Sequence, residues 1–264
     1  MQICLGASVE GIFHGRASAT WPTLEEAVQG IVSLGFGVEV WGGRGEEDPK
    51  PASDVGEKIR EIASEAPFTS VHTRFDHWTW DPNGLRWEIA FSHAVGGGVL
   101  VLHCGSLGLD DPSSRADFSL VKRLAHLARQ AGVCLALENG WNTLWALDRV
   151  LDAIGDDPGK TNLGICMDVG HAHLSKDAGR QPVRAYLERY RAQLVHLHLH
   201  DNHGETDDHL PPGRGTIDWP DLYVALEEIG YAGPAVIELH PQRDPLEELK
   251  EAREFLIGLQ SAIP

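Results

Sequence analysis

At 264 residues the chain is long enough for one large domain, and its 42% hydrophobic and 23% charged residues exclude a disordered or fibrous protein. A formal charge of −17 repels phosphate backbones and counts against a nucleic-acid partner. No run approaches the ~20 apolar residues that cross a bilayer, and MQICLGASVEGIF has neither a basic leader region nor a long apolar core, so neither a membrane segment nor a signal peptide is expected.

Strand-like runs recur roughly every thirty residues, most followed by an amphipathic stretch. In chain order, Gln2–Ala7 precedes the helix-patterned Leu24–Leu34, Gly37–Trp41 precedes Val55–Ser64, and Phe68–Thr73 precedes Leu85–Ala94. Then come Gly98–His103 with Phe118–Ala131, Val133–Glu138 with Leu144–Ala153, and Leu163–Asp168 with Val183–Leu194. Leu194–His200 with Leu222–Ile229 and Pro234–Leu239 with Leu246–Leu259 complete the series. Thr23 before Leu24-Glu25-Glu26 predicts a capped helix start, and Gly132 and Gly230 predict glycine-closed helix ends. Eight strands alternating with helices mean a parallel sheet, and at this length they predict one α/β domain spanning 1–264, a (β/α)8 TIM barrel. The competing open doubly wound sheet usually carries a glycine fingerprint after its first strand, and none follows here.

In such barrels the C-terminal strand ends carry the chemistry. Here they read Glu39, His72, His103, Glu138, Asp168 with His171, His198 and Glu238. Their recurrence at one end is hard to produce as a solvated surface. The stretch VHLHLHDNHGETDDHL at 195–210 sharpens this, since Val195, Leu197 and Leu199 alternate with His196, His198 and His200. Period two places the imidazoles on one face and the aliphatics on the other. On that reading His196 is a neutral core histidine bonded to a neighbour, while His200 and His203 lie on the rim. Parity also places Cys134 and Cys166 inside the barrel as packing residues. With Cys4 and Cys104 they are widely spaced, as expected of reduced thiols in a cytoplasmic protein.

ALENG at 136–140, CMDVGHAH at 166–173, HLHDN at 198–202, DDHLPPGRG at 207–215 and VIELH at 236–240 together resemble the xylose isomerase-like TIM barrels. That superfamily holds sugar isomerases and epimerases, inosose and dehydroshikimate dehydratases, and endonuclease IV repair enzymes. The resemblance runs through nearly the whole chain in order. It implies that Glu138, Asp168, His198 and Glu238 bind a divalent ion. Three carboxylates and an imidazole suit Mn2+, Mg2+, Co2+ or Zn2+, and not a thiolate site. Buried salt bridges, the alternative, would need Lys or Arg at the strand ends, where the sequence has almost none.

For the isomerases and epimerases of carbohydrate metabolism, the resemblance implies proton transfer beside a carbonyl through a metal-stabilised enediolate. Glu138 and Glu238 are then base and acid, and His171 binds substrate. The chain departs from the ketose 3-epimerases, which carry an arginine where it has Gly204; the nearest candidates for that role are Arg214 in the GRG turn, and Arg16 and Arg74 on other loops. Trp41, Trp141 and Trp219 fall on the same side, as packing or as sugar-stacking surfaces. The endonuclease IV likeness implies more than one zinc, with His72, His103, His171, Asp207 and His209 as further metal or substrate ligands. In particular His171, Asp207 and His209 would form a second cluster. Against a nuclease stand the acidic charge and TRFDHWTWD after His72, which lacks a basic inserting loop. A dehydratase acting on a cyclic polyol and a non-catalytic metal-stabilised sugar sensor complete the alternatives. The expected partner is a small sugar or polyol, with neither nucleic acid nor membrane, and a homo-oligomer is compatible with the sequence.

Overall fold

Strands at the expected positions close into a barrel in the computed structural model, which describes residues 3–9, 23–41, 53–73, 82–104, 118–140, 144–175, 178–241 and 243–262. They are β1 (Cys4–Ser8), β2 (Gly37–Trp41), β3 (Thr69–His72), β4 (Val99–His103), β5 (Cys134–Glu138), β6 (Leu163–Asp168), β7 (Leu194–Leu199) and β8 (Pro234–Ile237). All neighbours are parallel, and β8 returns to β1 through Cys4 opposite Pro234 and Ala7 opposite Ile237.

Around them lie α1 (Leu24–Ser33), α2 (Ser53–Ile62), α3 (Pro82–Val95), α4 (Phe118–Gln130), α5 (Leu144–Ile154), α6 (Pro158–Thr161), α7 (Val169–Leu174), α8 (Pro182–Tyr190), α9 (Trp219–Glu228) and α10 (Pro245–Ala262). Thr23 does cap α1: its hydroxyl accepts from the Glu26 N–H at 3.2 Å while the Glu26 carboxylate accepts from the Thr23 N–H at 3.2 Å. Gly132 and Gly230 take positive φ just beyond α4 and α9. The short helices α6 and α7 hold too few turns to show a period. Among the described residues, no helix is long and apolar enough to cross a membrane.

The larger apolar cluster is separate from a small one of Val101, Ala136 and Cys166 inside the barrel, with Val99 and Val195 packed on it. Cys166 is inside as expected, and Cys134 is half-buried at the start of β5. Val195 departs from the alternation. The β6–β7 register jumps, with Leu194 opposite Ile165 but His196 opposite Cys166, and the unpaired Val195 packs on the interior cluster instead of sharing a face with Leu197 and Leu199. Above that cluster the strands present Glu39, His72, His103, Glu138, Asp168, His198 and Glu238, with Trp41 stacked on His72 at the edge.

Candidate metal centre

β5 and β6 end on Glu138 and Asp168, His198 sits one residue before the end of β7, and Glu238 follows β8 directly. Closure of the barrel brings one ligand atom from each of the four within 4.8 Å of the others. His198 Nδ1 lies 3.1 Å from Glu138 Oε1, 3.4 Å from Glu238 Oε2 and 4.0 Å from Asp168 Oδ2. All four residues are buried, Glu238 the least so. Among the described residues none of the four pairs with Lys or Arg, and Asp168 Oδ2 and Glu238 Oε1 have no hydrogen-bond partner. Ionised carboxylates in that state are costly to bury. Burial pushes Glu238 well above the usual carboxylate range, because nearby Glu138, Glu39 and Asp168 oppose the relief that His198 gives. Burial also acts against ionised Glu138, but His103 and His198 outweigh it and hold this carboxyl low.

A second group joins at Glu138. His72 Nε2 and His103 Nε2 stand 2.9 and 3.0 Å from Glu138 Oε2. The Thr73 carbonyl, which can only accept, takes the His72 Nδ1–H at 2.7 Å. That fixes the tautomer and leaves the Nε2 lone pair facing a carboxylate oxygen. Two lone pairs at such a distance need a proton or a cation between them.

The third group combines His171, His200, Asp207 and His209, again with ligand atoms within 4.8 Å. Asp168 caps α7 by accepting the His171 N–H at 2.6 Å, which places His171 at the mouth on a helix and not on an extended loop. Asn139 ties β5 to β6, its amide donating to the Asp168 carbonyl at 3.0 Å and its Oδ1 accepting the Asp168 N–H at 2.9 Å. The Asn139 carbonyl accepts the His171 Nδ1–H at 2.9 Å, so Nε2 faces Asp207 Oδ2 at 3.1 Å in the same arrangement as His72. Burial disfavours a charged His171, yet Asp168, Asp207 and Glu138 together push it up to about 10. His209 has φ of 47°, a left-handed conformation rare for a side chain of this size and common at functional sites.

His200 is not on the rim. It is fully buried, 3.0 Å from Asp168 Oδ1, with its ring stacked 3.8 Å from that of His209. Two distant features put it there. Gly170 leaves the space, since a Cβ there would stand 1.9 Å from His200 Cε1. Asp201 folds the following loop back over the barrel. Its Oδ1 accepts the Asn202 and Ile217 N–H groups at 2.9 and 3.2 Å, and its Oδ2 accepts Gly213 N–H at 2.9 Å and the Trp219 indole N–H at 2.8 Å.

The remaining expected residues divide. Trp41 stacks on His72 with ring centroids 4.7 Å apart, at the edge of the centre. Trp219 is a buried packing residue on Asp201. Arg214 is not brought to the centre, because its guanidinium donates to Glu251 on α10 at 3.0 Å. His203 is exposed, as expected of the rim. Trp141, Arg16 and Arg74 lie outside the described residues. Sequence reasoning gave no role to Asn139, Asp201 or Gly170, and for Glu39 it saw only a polar strand end.

A family model described as Xylose isomerase-like TIM barrel matches residues 29–259. The chain belongs to that family. Among its relatives, the uncharacterized protein MJ1311 of Methanocaldococcus jannaschii is 31% identical over 144 residues, 53% of this chain and 48% of that one. Inosose dehydratase of Serratia proteamaculans is 27% identical over 157 residues, 50% of this chain and 51% of the other, so this xylose isomerase-like barrel spans about half the length of these curated relatives in its matches. A D-tagatose 3-epimerase-like protein of known structure superposes with a TM-score of 0.71 at 23% identity, covering 97% of this chain and 99% of that one, a likeness of fold.

Proposed function

We propose that the chain is a divalent-metal-dependent isomerase or epimerase of a small sugar, or of a sugar-like polyol or keto acid, which moves a proton at the carbon beside a carbonyl. The observation that carries this reading is the buried set Glu138, Asp168, His198 and Glu238 with unpartnered oxygens on Asp168 and Glu238. Such oxygens, free of any Lys or Arg, fit a cation. A bound divalent ion would supply Lewis-acid polarisation of the substrate carbonyl.

The chain's own residues would divide the proton work by environment. Glu138 has both oxygens engaged, Oε1 by His198 and Oε2 by His72 and His103, and is held ionised. Glu238 keeps one oxygen unpartnered and is pushed toward the protonated form. Two carboxyls driven apart in this way suit opposite roles in proton transfer. His103, about one-third exposed, and His171 stand where substrate hydroxyls would enter. The relatives named inosose dehydratase support a variant of this chemistry, in which the same proton is removed and water is then lost instead of the proton being returned.

The test is incubation of the metal-loaded protein with a panel of ketoses and inososes in D2O, followed by NMR. Deuterium at the carbon next to the carbonyl, with an epimer or isomer formed, supports the proposal. Loss of water supports the dehydratase variant, and absence of exchange and of product across the panel counts against both. A second reading, phosphodiester hydrolysis at three zinc ions, draws on the two further clusters around His72 and His209. Three zincs per chain with cleavage of abasic DNA would establish it, against the charge of −17.

A further inference from the structure

The group of His171, His200, Asp207 and His209 shares no residue with the set that carries the proposed function, and its donors are of another kind. Three imidazoles and one carboxylate stand against three carboxylates and one imidazole. We propose that this group is a closed structural zinc site: His200 completes a four-ligand set that fastens the loop after β7 to the barrel and leaves no coordination position for substrate or water. The inference does not depend on the isomerase reading, because it uses different residues and needs no substrate to test.

The three rings meet on one carboxylate. His171 Nε2 stands 3.1 Å and His209 Nε2 3.4 Å from Asp207 Oδ2, and His200 Nε2 lies 3.7 Å from Asp207 Oδ1. Ligands about 2.0 Å from a tetrahedral zinc are roughly 3.3 Å from one another, so the spacing suits one ion. His200 is fully buried, yet among the described residues neither of its nitrogens makes a hydrogen bond. Asp168 Oδ1 lies 3.0 Å from its Nε2, but that oxygen already accepts the His171 N–H. Asp207 Oδ1 is a further buried atom with no hydrogen-bond partner. Such groups are costly to bury, and a shared cation would satisfy both. The donors also select the ion, since imidazole suits zinc whereas Mg2+ and Mn2+ prefer oxygen. His171, Asp207 and His209 alone would leave the open position that catalytic zinc keeps for water; His200 fills it, as in structural sites. Place in the chain then supplies the role. His171 comes from α7, His200 directly follows β7, and Asp207 and His209 belong to the loop beyond, which Asp201 holds from its other side. With His171 Nε2 taken by the ion, His103 is the entrance imidazole left to meet substrate hydroxyls.

The test compares the parent with His200→Asn and Glu238→Gln. Zinc per chain is counted by elemental analysis, and Co2+-loaded protein is read by its visible spectrum, because four-coordinate Co2+ absorbs far more strongly than six-coordinate Co2+. The parent is expected to show the intense bands and Glu238→Gln to keep them. His200→Asn should lose the bands together with one zinc per chain, and its zinc-loaded form should exchange amide hydrogens over residues 202–217 as fast as the ion-free parent. Weak bands alone in the parent, or bands and zinc count unchanged in His200→Asn, would overturn the assignment. Bands that vanish in Glu238→Gln would move the four-coordinate ion to the other centre and overturn it equally. Should His200→Asn not fold, the parent decides: zinc added to the ion-free protein must slow exchange over residues 202–217, and unchanged exchange rejects the site. One zinc per chain, lost in Glu238→Gln, would reject this site while leaving the isomerase reading in place.

Discussion

Replacing Gly170 by alanine tests the burial of His200 through the sign of one measurement. Gly170 lies in the first turn of α7, where alanine in open space would gain up to ~1 kcal/mol of helix propensity. The site is not open. An added Cβ would stand 1.9 Å from His200 Cε1 and 2.4 Å from Nδ1, well inside van der Waals contact. The ring has nowhere easy to go, being stacked 3.8 Å from His209 on one side and held 3.0 Å from Asp168 on another. Overpacking of this kind costs about 1–3 kcal/mol and exceeds the propensity gain. With the propensity gain subtracted, the net loss of up to about 2 kcal/mol lowers Tm by up to roughly 8 °C in a chain of this size. The assay is calorimetric melting of chelator-treated protein, which removes stabilisation by bound ions. A Gly170→Ala protein that melts with or above the parent would refute the packing and return His200 to the rim.

Glu238→Gln should abolish deuterium exchange and weaken metal binding, while the ion-free variant melts at or above the parent, because a buried carboxylate with an unpartnered oxygen has been removed; lower melting of the ion-free variant would contradict the claim. Asp201→Asn sets an amide against N–H donors that now face a carboxylate. It should cost about 1.5–3 kcal/mol, speed hydrogen exchange over residues 202–217 and lower any metal stoichiometry that depends on the His171 group, while leaving binding at the Glu238 group intact. The His171 pKa is raised from 6.5 to about 10, so its contribution to the stability of the ion-free protein is complete below pH 6.5 and lost as pH rises toward 10. A cation at that group must displace the proton, so calorimetry in two buffers of different ionisation enthalpy at pH 8 should show about one proton released per ion there; zero release would show that the group binds no ion.

What was legible in the sequence was whatever the fold converts from one dimension to three without long-range detail. A parallel barrel puts every strand's C-terminal end on one face, so the strand ends alone placed Glu138, Asp168, His198 and Glu238 at one mouth, together with Glu39, His72, His103 and His171, and the family resemblance singled out those four as expected ligands. Alternation held along β7 from His196 onward and failed at Val195, where a bulge adds a residue that no local pattern marks. α7 was missed because six residues show no helical period. His200 shares the inward parity of His198, yet its burial depends on a glycine thirty positions earlier and on a loop that Asp201 closes from the far side. Glu39 showed as a polar strand end, but its contact with His196, 157 positions away, left no local mark.

The division has a physical cause. Groups that would meet a cation must be carboxylates and imidazoles at the mouth, and both their type and their place recur along the chain. The groups that pin them need only offer a carbonyl, a hydroxyl or empty space, and almost any residue type can do that. Glu39 is the exception that sequence alone could have flagged. A glutamate inside β2, on a barrel whose inward faces carry no lysine or arginine among the described residues, must be neutralised by something, and the histidines of β7 were the nearest inward groups able to do it.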